Sequence, residues 1–126
     1  RQMCIRDREY TDCPALDEGY RTAKKLFQDG IRYDAIFCLN DMMAYGAICG
    51  IRDCGFKVPR DVSVIGFDNT LLDRYLTPTL SSIGSSLRDE AEGYIQYIVG
   101  ASDRSRMETR AVFYPRGSIR RKTKLK

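Results

Sequence analysis

Two pairs of short polar residues stand where apolar runs stop: Asn40-Asp41 in "AIFCLNDMMAYG" and Asp68-Asn69 in "DVSVIGFDNTL". Each pair offers a carboxylate and a carboxamide, and so several donors and acceptors close together. That chemistry suits a ligand with neighbouring hydroxyls or amides, such as a sugar or a nucleoside. The same residue types are the preferred helix N-caps. Taken singly, each seam reads at least as well as a cap, Asn40 or Asp41 for a helix starting at 41 and Asp68 for a turn at 69–73. Two such seams at equivalent places shift the reading toward a ligand site.

The elements that would position them alternate. The run 34–39 is continuously apolar and has the length of a strand buried on both faces. A helix over 41–54 follows and ends at Gly55. Pro59 marks a turn before a second buried strand over 61–67. A short strand over 80–84 follows Pro78. Ser86 caps a helix over 86–100 whose Leu87, Ala91, Tyr94, Ile95 and Ile98 share one face, and 110–116 is a last strand. Upstream, 2–6 reads as a short strand. Pro14 opens a helix with Leu16, Tyr20, Ala23, Leu26 and Phe27 in one stripe, stopped by Gly30. Strands alternating with helices mean an α/β fold with a largely parallel sheet. Ligands of such sheets bind at the carboxyl ends of the strands, where both polar seams fall.

The helix over 41–54 has two apolar sides. Met43, Ala44, Ala47, Ile48 and Ile51 form one broad face, and Met42, Tyr45 and Cys49 a second stripe. One face packs on the sheet. The other is covered by a further layer of this chain or by a second subunit, and the pattern alone leaves both open.

Composition removes several function classes. The 126 residues are 43% hydrophobic and 30% charged, enough for one folded domain. With no histidine, His-based triads are excluded and neither a zinc site nor another metal or cofactor is expected. The odd set Cys4, Cys13, Cys38, Cys49 and Cys54 contains no CxxC pair and reads as reduced thiols. Neither GxGxxG, GxxxxGK[ST] nor GxSxG occurs. Only the carboxylates Asp41 and Asp68 leave a glycosidase-like geometry open; the reading is that the chain is not an enzyme. No apolar run approaches the roughly 20 residues of a membrane span, and the charged start "RQMCIRDREY" has no signal-peptide core. The chain does not begin with Met, so a piece of something longer is expected.

The net charge of +4 is uneven. Residues 1–103 carry 12 Lys/Arg against 16 Asp/Glu, and residues 104–126 carry nine against one. A basic tail can touch nucleic acid. With Phe113 and Tyr114 but no stacking platform, a solubilising tail is the expectation.

The stretch from "DAIFCLNDMMAYGA" through "VPRDVSVIGFD" and "YLTPTLSSI" to the closing "YPRGSIRR" resembles the effector-binding domain of the LacI/GalR family of bacterial transcription regulators. The resemblance runs from about residue 14 to 121. It implies a periplasmic-binding-protein-like fold of two α/β lobes, with 1–84 in the C-terminal lobe. It puts 85–114 in the N-terminal lobe, and 115–126 as a return with the basic tail. It implies that Asn40 and Asp68 reach a small-molecule effector, with Asp41 the cap, Tyr10 in place of a stacking aromatic and Ser85 in place of a Gln-type contact. It implies a homodimer through Met42, Tyr45, Cys49 and Tyr75, and operator DNA held by a helix-turn-helix upstream. A cytoplasmic setting follows; the alternative is a solute-binding protein of a sugar transporter, which shares the fold. The helix over 86–100, without its lobe, is expected to lose order or to pack on another chain.

Overall fold

The computed structural model describes residues 15–28, 32–100 and 111–120. The expected strand over 2–6, Tyr10, and most of the basic tail lie outside them.

Helix α1 spans Leu16–Gln28, with Asp17 and Glu18 in its first turn and Lys25 in its last, as the helix dipole favours. It buries Gly19, Ala23 and Phe27. The stripe therefore turns slightly from the expected one, leaving Leu16 exposed while the Tyr20 hydroxyl donates to Asp53. Helix α2 spans Asp41–Asp53. The two helices pack so closely that a Cβ on Gly46 would lie 1.9 Å from the Leu16 carbonyl oxygen. Only glycine permits that approach. The chain leaves α2 through Gly55, whose φ of 86° suits a glycine.

Strands β1 (Ala35–Phe37), β2 (Ser63–Phe67), β3 (Ser81–Gly84) and β4 (Val112–Tyr114) form one sheet in that order. The first three are parallel and β4 is antiparallel to β3. Helix α2 links β1 to β2; a crossover with one 3-10 turn, Leu71–Arg74, links β2 to β3. The pairing of Gly84 with Val112 and of Ser82 with Tyr114 places 112–114 in this sheet.

The core lies on one side of the sheet, where Ala44, Ile48 and Ile51 of α2 meet Val62, Val64 and Leu80. Burying such aliphatic side chains contributes roughly 1.5–3 kcal/mol each. On the other side Phe37, Phe67 and Phe113 are exposed, Phe67 and Phe113 in one register-matched row through Ile83. The strands over 34–39 and 61–67 were expected to be buried on both faces. Here β1 is an edge strand, α2 packs against β2 on one face, and α1 packs on α2. Helix α3 (Leu87–Ile98) has its Tyr94, Ile95 and Ile98 exposed.

Candidate functional site

The carboxyl ends of β1, β2 and β3 deliver Asn40, Asp68 and Ser85 to one rim of the sheet. At the first seam the cap is Asn40 and not the expected Asp41. Asn40 is the N-cap of α2, with extended backbone and Oδ1 accepting from the Met43 N–H at 2.8 Å. Asp41, expected to cap, has no exposed surface. Its Oδ1 accepts from the Ser82 hydroxyl at 2.7 Å and its Oδ2 from the Thr70 N–H at 2.8 Å. It is a brace beneath the second seam, and Gly66 makes room for it: a Cβ there would sit 2.2 Å from Asp41 Oδ1.

The second seam is conformationally costly. Asp68 and Asn69 both have positive φ, 107° and 54°. Such backbone costs on the order of 1–3 kcal/mol per residue and persists only where surroundings enforce it. They do so here. The Asp68 N–H donates to the Ile83 carbonyl at 2.8 Å, the Asn69 N–H to Ser82 Oγ at 3.0 Å, and the Thr70 N–H to Asp41. The Asp68 carboxylate is exposed and has no hydrogen bond or ion pair among the described residues. Partial burial, then the nearby Asp41 carboxylate, hold its pKa above the ordinary carboxylate value.

Ser85, at the end of β3, donates its hydroxyl to Glu90. With Asn69, Thr70, Arg74, Arg88 and Tyr114 it lines an open groove of about 320 Å³. Asn69 thus joins the second seam to the groove.

Next to this rim lies a second buried carboxylate that sequence reading missed. Asp73, with no exposed surface, accepts from the Tyr45 hydroxyl, from Thr70 Oγ1 at 3.0 Å, and from Arg116 Nη1 at 3.1 Å. Burial pushes its carboxyl up, against the pull of Tyr45, Thr70 and Arg116. Tyr45 was expected at a subunit interface. It is only 6% exposed, because the crossover after β2 folds over it and captures its hydroxyl. Cys49 is half-buried, whereas Met42 and Tyr75 stand out to solvent, together with Leu71, Leu72 and Leu76. The described part of the tail is not a solvated appendage either. Arg116 is mostly buried and Ser118 has no exposure, its hydroxyl donating to the Val64 carbonyl at 2.6 Å.

Among the described residues no cluster of His, Cys, Asp and Glu fits a metal, and no helix is long and apolar enough to cross a membrane. Burial raises the Cys38 thiol to about 12, an unreactive value.

Residues 4–123 match a family of periplasmic binding protein-like domains. Over 67 residues the chain is 43% identical to the HTH-type transcriptional repressor PurR of Escherichia coli O1:K1, a match covering 53% of this chain and 20% of the repressor. A LacI-type transcription regulator from Bifidobacterium animalis is 32% identical with a TM-score of 0.71, covering 84% of this chain and 40% of that one. A LacI family regulator from Arthrobacter sp. FB24 in complex with lactose is 26% identical with a TM-score of 0.69, covering 84% and 42%. The chain thus spans well under half the length of these relatives.

Proposed function

This chain belongs to the family of periplasmic binding protein-like domains, and from that premise we propose that it is the effector-sensing part of a LacI-type transcription regulator. The observation that carries the reading is Asp68: a carboxylate with no partner among the described residues, at the carboxyl end of a parallel strand, on costly backbone braced from below by Asp41 and Ser82. A fold keeps such backbone where a side chain must be presented in one direction. The proposed ligand is a small polar metabolite of the sugar or nucleoside kind, whose hydroxyls donate to Asp68. Ser85 lies at the rim of the same site. Asn40 is a neighbour of the ligand rather than its anchor, since its Oδ1 serves α2. The lactose held by the Arthrobacter regulator supports the sugar class.

The proposal extends to partners. Two copies associate through Met42, Tyr75 and the exposed leucines of the crossover, with Cys49 at the margin; operator DNA is held by a helix-turn-helix of the whole protein, in the cytoplasm, where free thiols persist. Effector binding shifts the dimer between forms that hold and release DNA. The relatives are transcription regulators, which favours this over a solute-binding protein of a transporter. A thermal-shift screen of the full-length protein against lactose, other mono- and disaccharides, nucleosides and nucleobases tests it. At least one should raise the melting temperature and change retention of operator DNA. A silent screen together with no DNA binding would overturn the reading.

A further inference from the structure

Arg116 is one of the nine basic residues of the stretch 104–126, expected to be a solvated tail. Its side chain is only 13% exposed, against a carboxylate, Asp73, with no exposure at all. One guanidinium makes three separate grips. Nη1 donates to Asp73 Oδ2 at 3.1 Å and to the Leu80 carbonyl at 2.6 Å, and Nη2 donates to Asn69 Oδ1. The Arg116 backbone N–H adds a bond to Ser81 Oγ at 2.7 Å, and its guanidinium lies 5.6 Å from the Tyr114 ring centre.

Those grips fall at the start, the middle and the end of the crossover 69–80 between β2 and β3. The crossover needs them. Its regular structure is one four-residue 3-10 turn. Its Leu71, Leu72, Tyr75 and Leu76 are exposed, and of its large apolar side chains only Leu80 is in the core. A segment with so few apolar anchors opens easily unless polar bonds hold it. One end carries Asn69 beside Asp68; the other carries the exposed apolar surface.

We propose that Arg116 is a positioning residue that makes the crossover 69–80 one rigid body, so that the ligand-facing end at Asp68-Asn69 and the apolar surface at 71–76 move together. The inference rests on the sensing role proposed above for Asp68. It uses the property that separates arginine from lysine: a planar fork satisfies several acceptors in fixed directions, where an ammonium supplies a point charge. A buried ion pair is seldom the most stable solution for a core; the role proposed for this one is to fix geometry.

Amide hydrogen exchange in the full-length protein tests this without any ligand. The informative amides are those of Asn69, Thr70, Asp73 and Leu80, which donate to Ser82 Oγ, Asp41, the Thr70 carbonyl and the Asp73 carbonyl. In the native protein they should share one opening rate. Arg116→Lys keeps the charge for Asp73 and removes the fork. It should speed exchange at Asn69 and Leu80 by about tenfold or more, split the shared rate, and leave α2 within about twofold, the pattern of local opening. Asn69→Ala should loosen the 69–70 end alone. Unchanged exchange across 69–80 in Arg116→Lys, or equal acceleration there and in α2, would overturn the proposal. The sensing role fails separately: Asp68→Ala leaves these exchange rates alone, so ligand affinity surviving Asp68→Ala would refute sensing while leaving the clamp standing.

Discussion

Replacing Asp41 with alanine should cost far more than replacing its neighbour Asn40. Asp41→Ala strips the acceptors from the Ser82 hydroxyl and the Thr70 N–H, held at 2.7 and 2.8 Å. Leaving a buried donor unsatisfied costs about 1–3 kcal/mol. The Ser82 hydroxyl can fall back on the Ile83 carbonyl, already 3.4 Å away, and Thr70 is only partly buried, so both losses belong near the lower end. An acid in the first turn of α2 adds roughly 0.3–1 kcal/mol through the helix dipole. The void left by the carboxylate adds to the cost, and relief from burying the carboxyl group subtracts. The sum is about 2–4 kcal/mol. Asn40→Ala removes one cap bond, about 1 kcal/mol. Urea-unfolding midpoints at constant m-value measure both. Asn40→Ala costing as much as Asp41→Ala would refute the division of labour at this seam and the idea that Asp41 braces the strained loop.

Other outcomes follow from the same contacts. Gly66→Ala should destabilise by about 1–3 kcal/mol, since the new methyl meets Asp41 Oδ1 at 2.2 Å, and combined with Asp41→Ser the loss should be smaller than the sum of the two single losses. Alkylation of the native protein should modify Cys49 and Cys54 well before Cys38, whose thiol is raised to about 12 by burial; equal rates would contradict the packing of that strand end. The raised pKa of Asp68 has two consequences. An ionised Asp68 accepts from ligand hydroxyls, so affinity should fall on acidification at a higher pH than the ordinary aspartate value of about 3.9. Because its folded value exceeds its unfolded one, the folded state binds more protons between the two. Stability then declines as pH rises through that window, and Asp68→Asn should not destabilise the unliganded protein. Tyr75→Asp should shift the proposed dimer toward monomers in sedimentation, whereas a full dimer would remove Tyr75 from the interface.

Much of the architecture could be read from periodicity and punctuation. Pro59, Pro78, Gly55 and the apolar runs between them place α2, β2 and β3 within a few residues, because each element carries its own start and stop signals. What the pattern could not reach were pairings between distant residues. Asn and Asp are near-equal caps, so nothing local tells which of residues 40 and 41 caps and which reaches across to Ser82. Tyr45 looks like an interface residue until the hydroxyl finds Asp73, 28 positions away. Arg116 looks like part of a basic tail until β4 turns it back onto Asn69, 47 positions away. Only the single glycine at 66 hinted that something large passes beneath β2. The exposed face of the sheet has the same cause: a run of apolar residues says that a strand wants cover, not which element supplies it.

The central claim is that a ligand is held by Asp68 at the carboxyl end of β2. Once the thermal-shift screen yields a ligand, calorimetric titration of that compound into the full-length protein and its Asp68→Ala variant tests it most directly. Loss of a charge-assisted hydrogen bond, about 1.5–3 kcal/mol, predicts an affinity at least about tenfold weaker, with the melting temperature of the unliganded variant essentially unchanged. Equal affinity in the two proteins would contradict the account.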